Sequence, residues 1–167
     1  MKKIVRNNKG LSLPEMIIAL AIIVILVGAA GSKLIRYIEK SKLSKDVSNA
    51  KTIYSDVVTT IGEAQIHDEL LIATRSAGAD LDFTAPGGGA FTGTSGLALK
   101  TLQQYRPTTP AFNYTKNNPV SWVVSVGEAG GAGSGSLELV AHVYIVDGSG
   151  ARVEVAPNVT GPYADVE

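Results

Sequence analysis

Hydrophobic and polar positions divide this chain into stretches with different periods. Residues 1–10, MKKIVRNNKG, carry Lys2, Lys3, Arg6 and Lys9 and no acid. From Met16 to Gly31 no side chain is charged, and Ile, Leu, Val and Ala dominate. With Leu11 to Glu15 in front, the apolar run is about 21 residues, roughly 32 Å as a helix and enough to span a bilayer. After Gly31 the period changes. Leu43, Val47, Ala50, Tyr54, Val57 and Ile61 recur at alternating spacings of four and three, which places them on one face of a helix. Lys45, Asp46, Ser48, Asn49, Lys51, Ser55 and Asp56 are expected on the other faces. No proline falls between Pro14 and Pro86, and Gly62 is a stop signal. The pattern predicts one helix from about Leu13 to about Ile61, roughly 70 Å long at 1.5 Å per residue. Its first half is apolar all round and suits lipid or a helix bundle. Its second half is amphipathic and should cover a globular domain.

Residues 63–118 read as short helical or irregular pieces between glycine-rich loops. LALKTLQQY, Leu97–Tyr105, reads as a short helix, and TAPGGGAFTGTSG, Thr84–Gly96, as a loop. Alternation then takes over. Val120, Trp122, Val124 and Val126 alternate in one strand, Leu137, Leu139, Ala141, Val143 and Ile145 in a second, and Val153 and Val155 in a third. Asp147-Gly148-Ser149-Gly150 is a hairpin turn signal between the last two. EAGGAGSGS between the first two reads as a flexible loop. The expected fold class is α+β: a long amino-terminal helix packed on an antiparallel sheet of three to four strands. The expected domains are a basic leader (1–10), an apolar helix able to span a membrane (11–31), an amphipathic continuation (32–62) and a globular head (63–167).

Charge and composition narrow the function. Lys+Arg and Asp+Glu are both 15, and without the four leader cations the balance is 11 against 15. No basic nucleic-acid-binding domain is indicated. There is no cysteine, which excludes disulfides, thiol catalysis and thiolate metal sites. His67 and His142 lack ligand spacing and read as ordinary surface or strand residues. Asp80 and Asp82 read as solvated loop acids rather than a cation site. The sequons at Asn113 and Asn158 carry little weight. No catalytic site, cofactor or metal is expected, and the chain reads as a non-enzyme.

One residue is out of place in an ordinary anchor. Glu15 sits at the edge of the apolar run. Ser12 and Glu15 form S-x-x-E, the pattern of a helix-capping box, and Pro14 suits a first helical turn. A secretory signal cut at Val27-Gly28-Ala29 before Ala30 competes for the same residues. Glu15 and a helical pattern that runs past Ala30 argue against it.

The stretch KGLSLPEMIIALAIIVILVGAA, residues 9–30, resembles the class III signal of type IV pilins and pseudopilins. SKLSKDVSNAKTI, residues 41–53, is similar to the helix that continues below the anchor in these proteins. The resemblance implies cleavage after Gly10 by a prepilin peptidase, methylation of the new amino terminus at Leu11, and a role for Glu15 in an assembly salt bridge. Its implied partners are further copies of the chain, the peptidase and methylase, an assembly ATPase, a platform protein, and the lipid bilayer before assembly. It implies a single-pass membrane protein that becomes a surface filament. Leu11 departs from the usual Phe or Met, and Pro14 from the usual aliphatic residue. The absence of cysteine leans towards a Gram-positive or otherwise disulfide-free system. A secretion or competence pseudopilin is the first alternative, and a binding domain that never polymerises is the second.

Overall fold

A computed structural model describes residues 12–94 and 96–166. Helix α1 runs Leu13–Ile61. It is followed by α2 (Ala64–Ala77), β1 (Leu81–Pro86), β2 (Thr92–Gly93), α3 (Leu97–Tyr105), β3 (Pro119–Glu128), β4 (Leu139–Asp147), β5 (Arg152–Ala156) and a 3-10 turn, Gly161–Val166. The chain divides into two compact units, Met1–Ile38 and Glu39–Glu167, so that the division falls within α1.

In the second unit the expected α+β head is present, with a larger sheet. Five strands run in the order β2-β1-β3-β4-β5, and every pairing is antiparallel. The two additional strands lie in Leu81–Gly93, where glycine and proline content reads as loop. Leu81, Phe83 and Ala85 alternate inward there, a short period-2 signal masked by its neighbours. The three carboxy-terminal strands form the expected meander. The turn after β4 is fixed by Asp147, whose Oδ1 accepts from the Ser149 N–H at 2.9 Å and the Ala151 N–H at 3.0 Å. Trp122, Val124 and Val126 are buried, but Val120 is exposed, because a register irregularity separates Pro119 from Ser121.

The inner face of the sheet shares one core with α1 and α2. Leu43, Val47, Ala50, Ile53, Val57 and Ile61 of α1 are buried with Ile66 and Leu70 of α2 and Phe83, Trp122, Val124 and Val143 of the sheet. Ile53 is fully buried, whereas Tyr54 only packs against the rim. The covering stripe is therefore rotated slightly from the one the spacing predicts. α1 ends as expected at Gly62, whose N–H donates to the Val58 carbonyl at 3.0 Å. α3 matches its expected bounds. Its first N–H, on Leu97, donates to Glu69 of α2 at 2.9 Å, an acid where the helix dipole favours one. A Cβ at Gly96 would strike that carboxylate.

Asp46 departs most from expectation. Helical spacing puts it on a polar face, yet it is fully buried. Its carboxylate accepts from the Asn113 N–H at 2.9 Å, the Asn113 Nδ2 at 2.7 Å and the Tyr114 N–H at 2.8 Å. The segment after α3 is thus a strap tied to α1. Asp56 holds Arg106 at 2.6 Å and Glu39 faces Lys116 at 3.6 Å. From the strap, Phe112 stacks on Trp122 at 4.9 Å, and the Trp122 Nε1 donates to the Pro110 carbonyl at 2.9 Å. Tyr114 meets Tyr163 edge-on. Burial, reinforced by the Asp46 carboxylate, raises the Tyr163 phenol above its usual range.

The glycine-rich β3–β4 loop is also tied down, contrary to its flexible reading. Glu128 is buried at the loop's start and pairs with Arg75 of α2 at 2.7 Å. Its other oxygen accepts from the Gly135 N–H at 3.0 Å and the Ser134 hydroxyl at 3.2 Å. The Arg75 hydrogen bond holds the Glu128 carboxyl below its ordinary value against the opposing effect of burial.

Two outcomes follow for the head, prepared as a soluble fragment beginning at Ser32. Asp46→Ala orphans several N–H groups and should cost about 3 kcal/mol in urea unfolding, at one to a few kcal/mol per buried unsatisfied group. A change below about 0.5 kcal/mol, the usual range for a surface site, would mean that water replaces the carboxylate without loss. A carboxyl with a lowered folded value contributes stability above its ordinary value of 4.5 and loses it as pH falls through the folded value. Glu128→Gln should therefore lower stability at neutral pH and flatten its decline below pH 4.5. Parallel pH profiles for the two proteins would contradict the assignment.

Candidate assembly helix

The first unit is described from Ser12 to Ile38, within which α1 begins at Leu13. Pro14 is the second residue of the helix, where its missing N–H has no intrahelical partner to lose. The Met16 N–H donates to the Ser12 carbonyl at 3.1 Å and closes the first turn. Glu15 bends back towards Ser12, and its Oε2 accepts from the Ser12 N–H at 3.5 Å. That is the reach-back half of a capping box, at the long limit for a hydrogen bond. The carboxylate stays exposed and has no cationic partner among the described residues. Its helix-terminal position suits a negative charge, since the dipole is positive there. Among the described residues, the Ser12 N–H is the one hydrogen-bond donor at this carboxylate.

Behind Glu15 the surface is apolar on every side. Met16, Ile17, Ile18, Leu20, Ile22, Ile23, Val24, Ile25, Leu26 and Val27 are all more than half exposed. The helix is long and apolar enough to cross a membrane, and none of its most apolar 18-residue window is buried. A surface of this extent requires lipid or other helices around it. Glycines 28 and 31 fall within the same run, and a Cβ at either would meet no neighbouring atom. Among the described residues nothing fills the space beside them, which leaves room for close helix approach.

Gly10 and Leu11, the expected cleavage and methylation positions, lie outside the described residues. Elsewhere, the other candidate residues are engaged in local contacts. Asp82 pairs with Arg152 at 2.7 Å across the outer face of the sheet. His142 faces Glu154 at 2.7 Å, and His67 lies 3.8 Å from Asp68. Among the described residues no three His, Asp or Glu side chains converge as a metal site. The side chain of Asn113 is committed to Asp46. Asp46 and Glu128 were missed as structural acids because helical and strand spacing report which face a residue occupies, not which backbone N–H groups will meet it there.

Comparison with known proteins bears on the amino-terminal segment alone. No significant match was found to a curated protein or to a solved structure. The family model for the prokaryotic N-terminal methylation motif matches residues 5–31. This span holds the end of the basic leader, Gly10, Leu11, Glu15 and the apolar run through Gly31. Together with the exposed apolar helix behind Glu15, this motif supports a type IV pilin-like protein with a class III prepilin signal.

Proposed function

We propose that this protein is a structural subunit of a type IV pilus-like filament, polymerising through α1 after its leader is removed. In this reading a prepilin peptidase cuts between Gly10 and Leu11 and the new Leu11 amine is methylated. The subunit waits in the cytoplasmic membrane with its head outside, as the basic leader favours. An assembly ATPase and a platform protein then move it into a filament on the cell surface. A secretion or competence pseudopilus would use the same residues in the same way.

The observation that carries the reading is an exposed carboxylate with no cation beside it among the described residues, placed at the start of an unburied apolar helix. Apolar packing gives little reason for a helix to stop at one axial position, because leaving lipid for a helix bundle exchanges one apolar setting for another. A charge pair does. The Leu11 amine of one subunit and Glu15 of its neighbour are each costly alone in an apolar bundle, and pairing lowers that cost at one register only. The capping geometry is compatible with this role. A contact at the hydrogen-bond limit holds the side chain near the helix start without consuming it.

Glu15→Gln separates the two roles. Gln serves a capping box as well as Glu, so a residue that only caps would tolerate the change. In the pairing role the variant leaves a buried amine without its ion, at a cost of a few kcal/mol per subunit. Leader cleavage and membrane insertion should proceed, processed protein should collect in the membrane, and sheared surface fractions should hold little filament. Wild-type filament yield from Glu15→Gln would favour capping alone.

A further inference from the structure

The turn and a half of α1 that follows the apolar run has two unlike faces. Lys33, Arg36 and Tyr37 fall at i, i+3 and i+4 in α1, so they share one side of the helix. Leu34, Ile35 and Ile38 occupy the other. All six are exposed, with Tyr37 at 75% and the three aliphatic residues between 45% and 61%. Neither Lys33 nor Arg36 has an ion-pair partner among the described residues.

A basic stripe on a helix is usually a solvated face, and two observations set this one apart. Its opposite side is aliphatic, so water suits only half of the segment and hydrocarbon only the other half. Its position also fits a boundary. At 1.5 Å per residue Lys33 stands about 30 Å along the axis from Leu13, the thickness of a bilayer's hydrocarbon core. A cationic face, an aliphatic face and an exposed phenol at that depth match the region of lipid headgroups.

We propose that Lys33 and Arg36, flanked by Tyr37, dock the anionic phosphates of lipid headgroups on the outer side of the membrane. The inference rests on the membrane-anchored state of the subunit before assembly. The guanidinium of Arg36 fits two phosphate oxygens at once, and the Lys33 ammonium acts as a point charge beside it. Their aliphatic stems lie along the acyl boundary while the charged ends reach the phosphates. Leu34, Ile35 and Ile38 dip towards the acyl chains. The segment thereby sets the depth of the helix, and these contacts must be released when the subunit leaves the bilayer.

The chain has no cysteine, so a single one can report that depth. Ser32→Cys in the full chain is reconstituted in vesicles of phosphatidylcholine alone or with phosphatidylglycerol, and its labelling by an uncharged polyethylene-glycol maleimide is timed. Ser76→Cys, exposed on α2, serves as the reference for general effects of the vesicle surface. The Ser32→Cys rate relative to the reference should fall several-fold in the anionic vesicles. Adding Lys33→Gln and Arg36→Gln should abolish the fall. An unchanged ratio in the two vesicle types, or a fall that persists in the Gln variant, would overturn the proposal. Removal of the protein from both vesicle types by alkaline carbonate would overturn the membrane reading itself, and the headgroup proposal with it.

Discussion

The buried carboxylate of Asp46 organises the head. It projects from the face of α1 that meets the sheet and takes three hydrogen bonds from two consecutive residues of the strap, Asn113 and Tyr114. A carboxylate in that position must be satisfied or it destabilises the fold. Here backbone and amide N–H groups satisfy it, so the strap has one allowed seat. Phe112 is thereby placed over Trp122, and Tyr114 against Tyr163. Asp56 and Glu39 hold the strap on either side of Asp46 along α1. For a disulfide-free domain this is a substitute for a covalent staple: an irregular segment fixed by acids on one helix. Glu128 does the same for the glycine-rich loop, with Arg75 as its anchor.

A second constraint acts at the other end of α1. No described residue from Leu13 to Gly31 is buried, and an apolar surface of that extent marks a site for lipid or for other helices. One helix thus serves two settings. Its later turns complete the head's core, and its first turns present apolar surface with a carboxylate at the leading edge. The proposed assembly mechanism follows from the mismatch between that carboxylate and its surroundings. So does the proposed headgroup contact at Lys33 and Arg36, where the apolar run gives way to a two-faced segment.

Much of this was legible in the sequence, because periodicity reports burial well. The bounds of α1 and α3, the stop at Gly62, the three carboxy-terminal strands and the Asp147 turn all follow from spacing and turn chemistry. The strands β1 and β2 were obscured by Pro86, Gly87, Gly88 and Gly89, which signal a loop and in fact form the bend between two short paired segments. Asp46 and Glu128 were illegible for a different reason. Their roles depend on backbone donors 67 and seven residues away, and no local pattern encodes such a meeting. Glu15 was legible through its position, because a carboxylate at the edge of an apolar run is costly enough to require a reason.

The most direct test of this account is the amino terminus of the exported protein, read by mass spectrometry of its first peptide. A chain that begins at methylated Leu11 supplies the cationic amine that the proposed pairing with a neighbour's Glu15 requires. A chain that begins at Ala30 has lost Glu15 with the whole apolar run. One that begins at Met1 retains the leader and offers no Leu11 amine. Either of these would contradict a filament built through this helix.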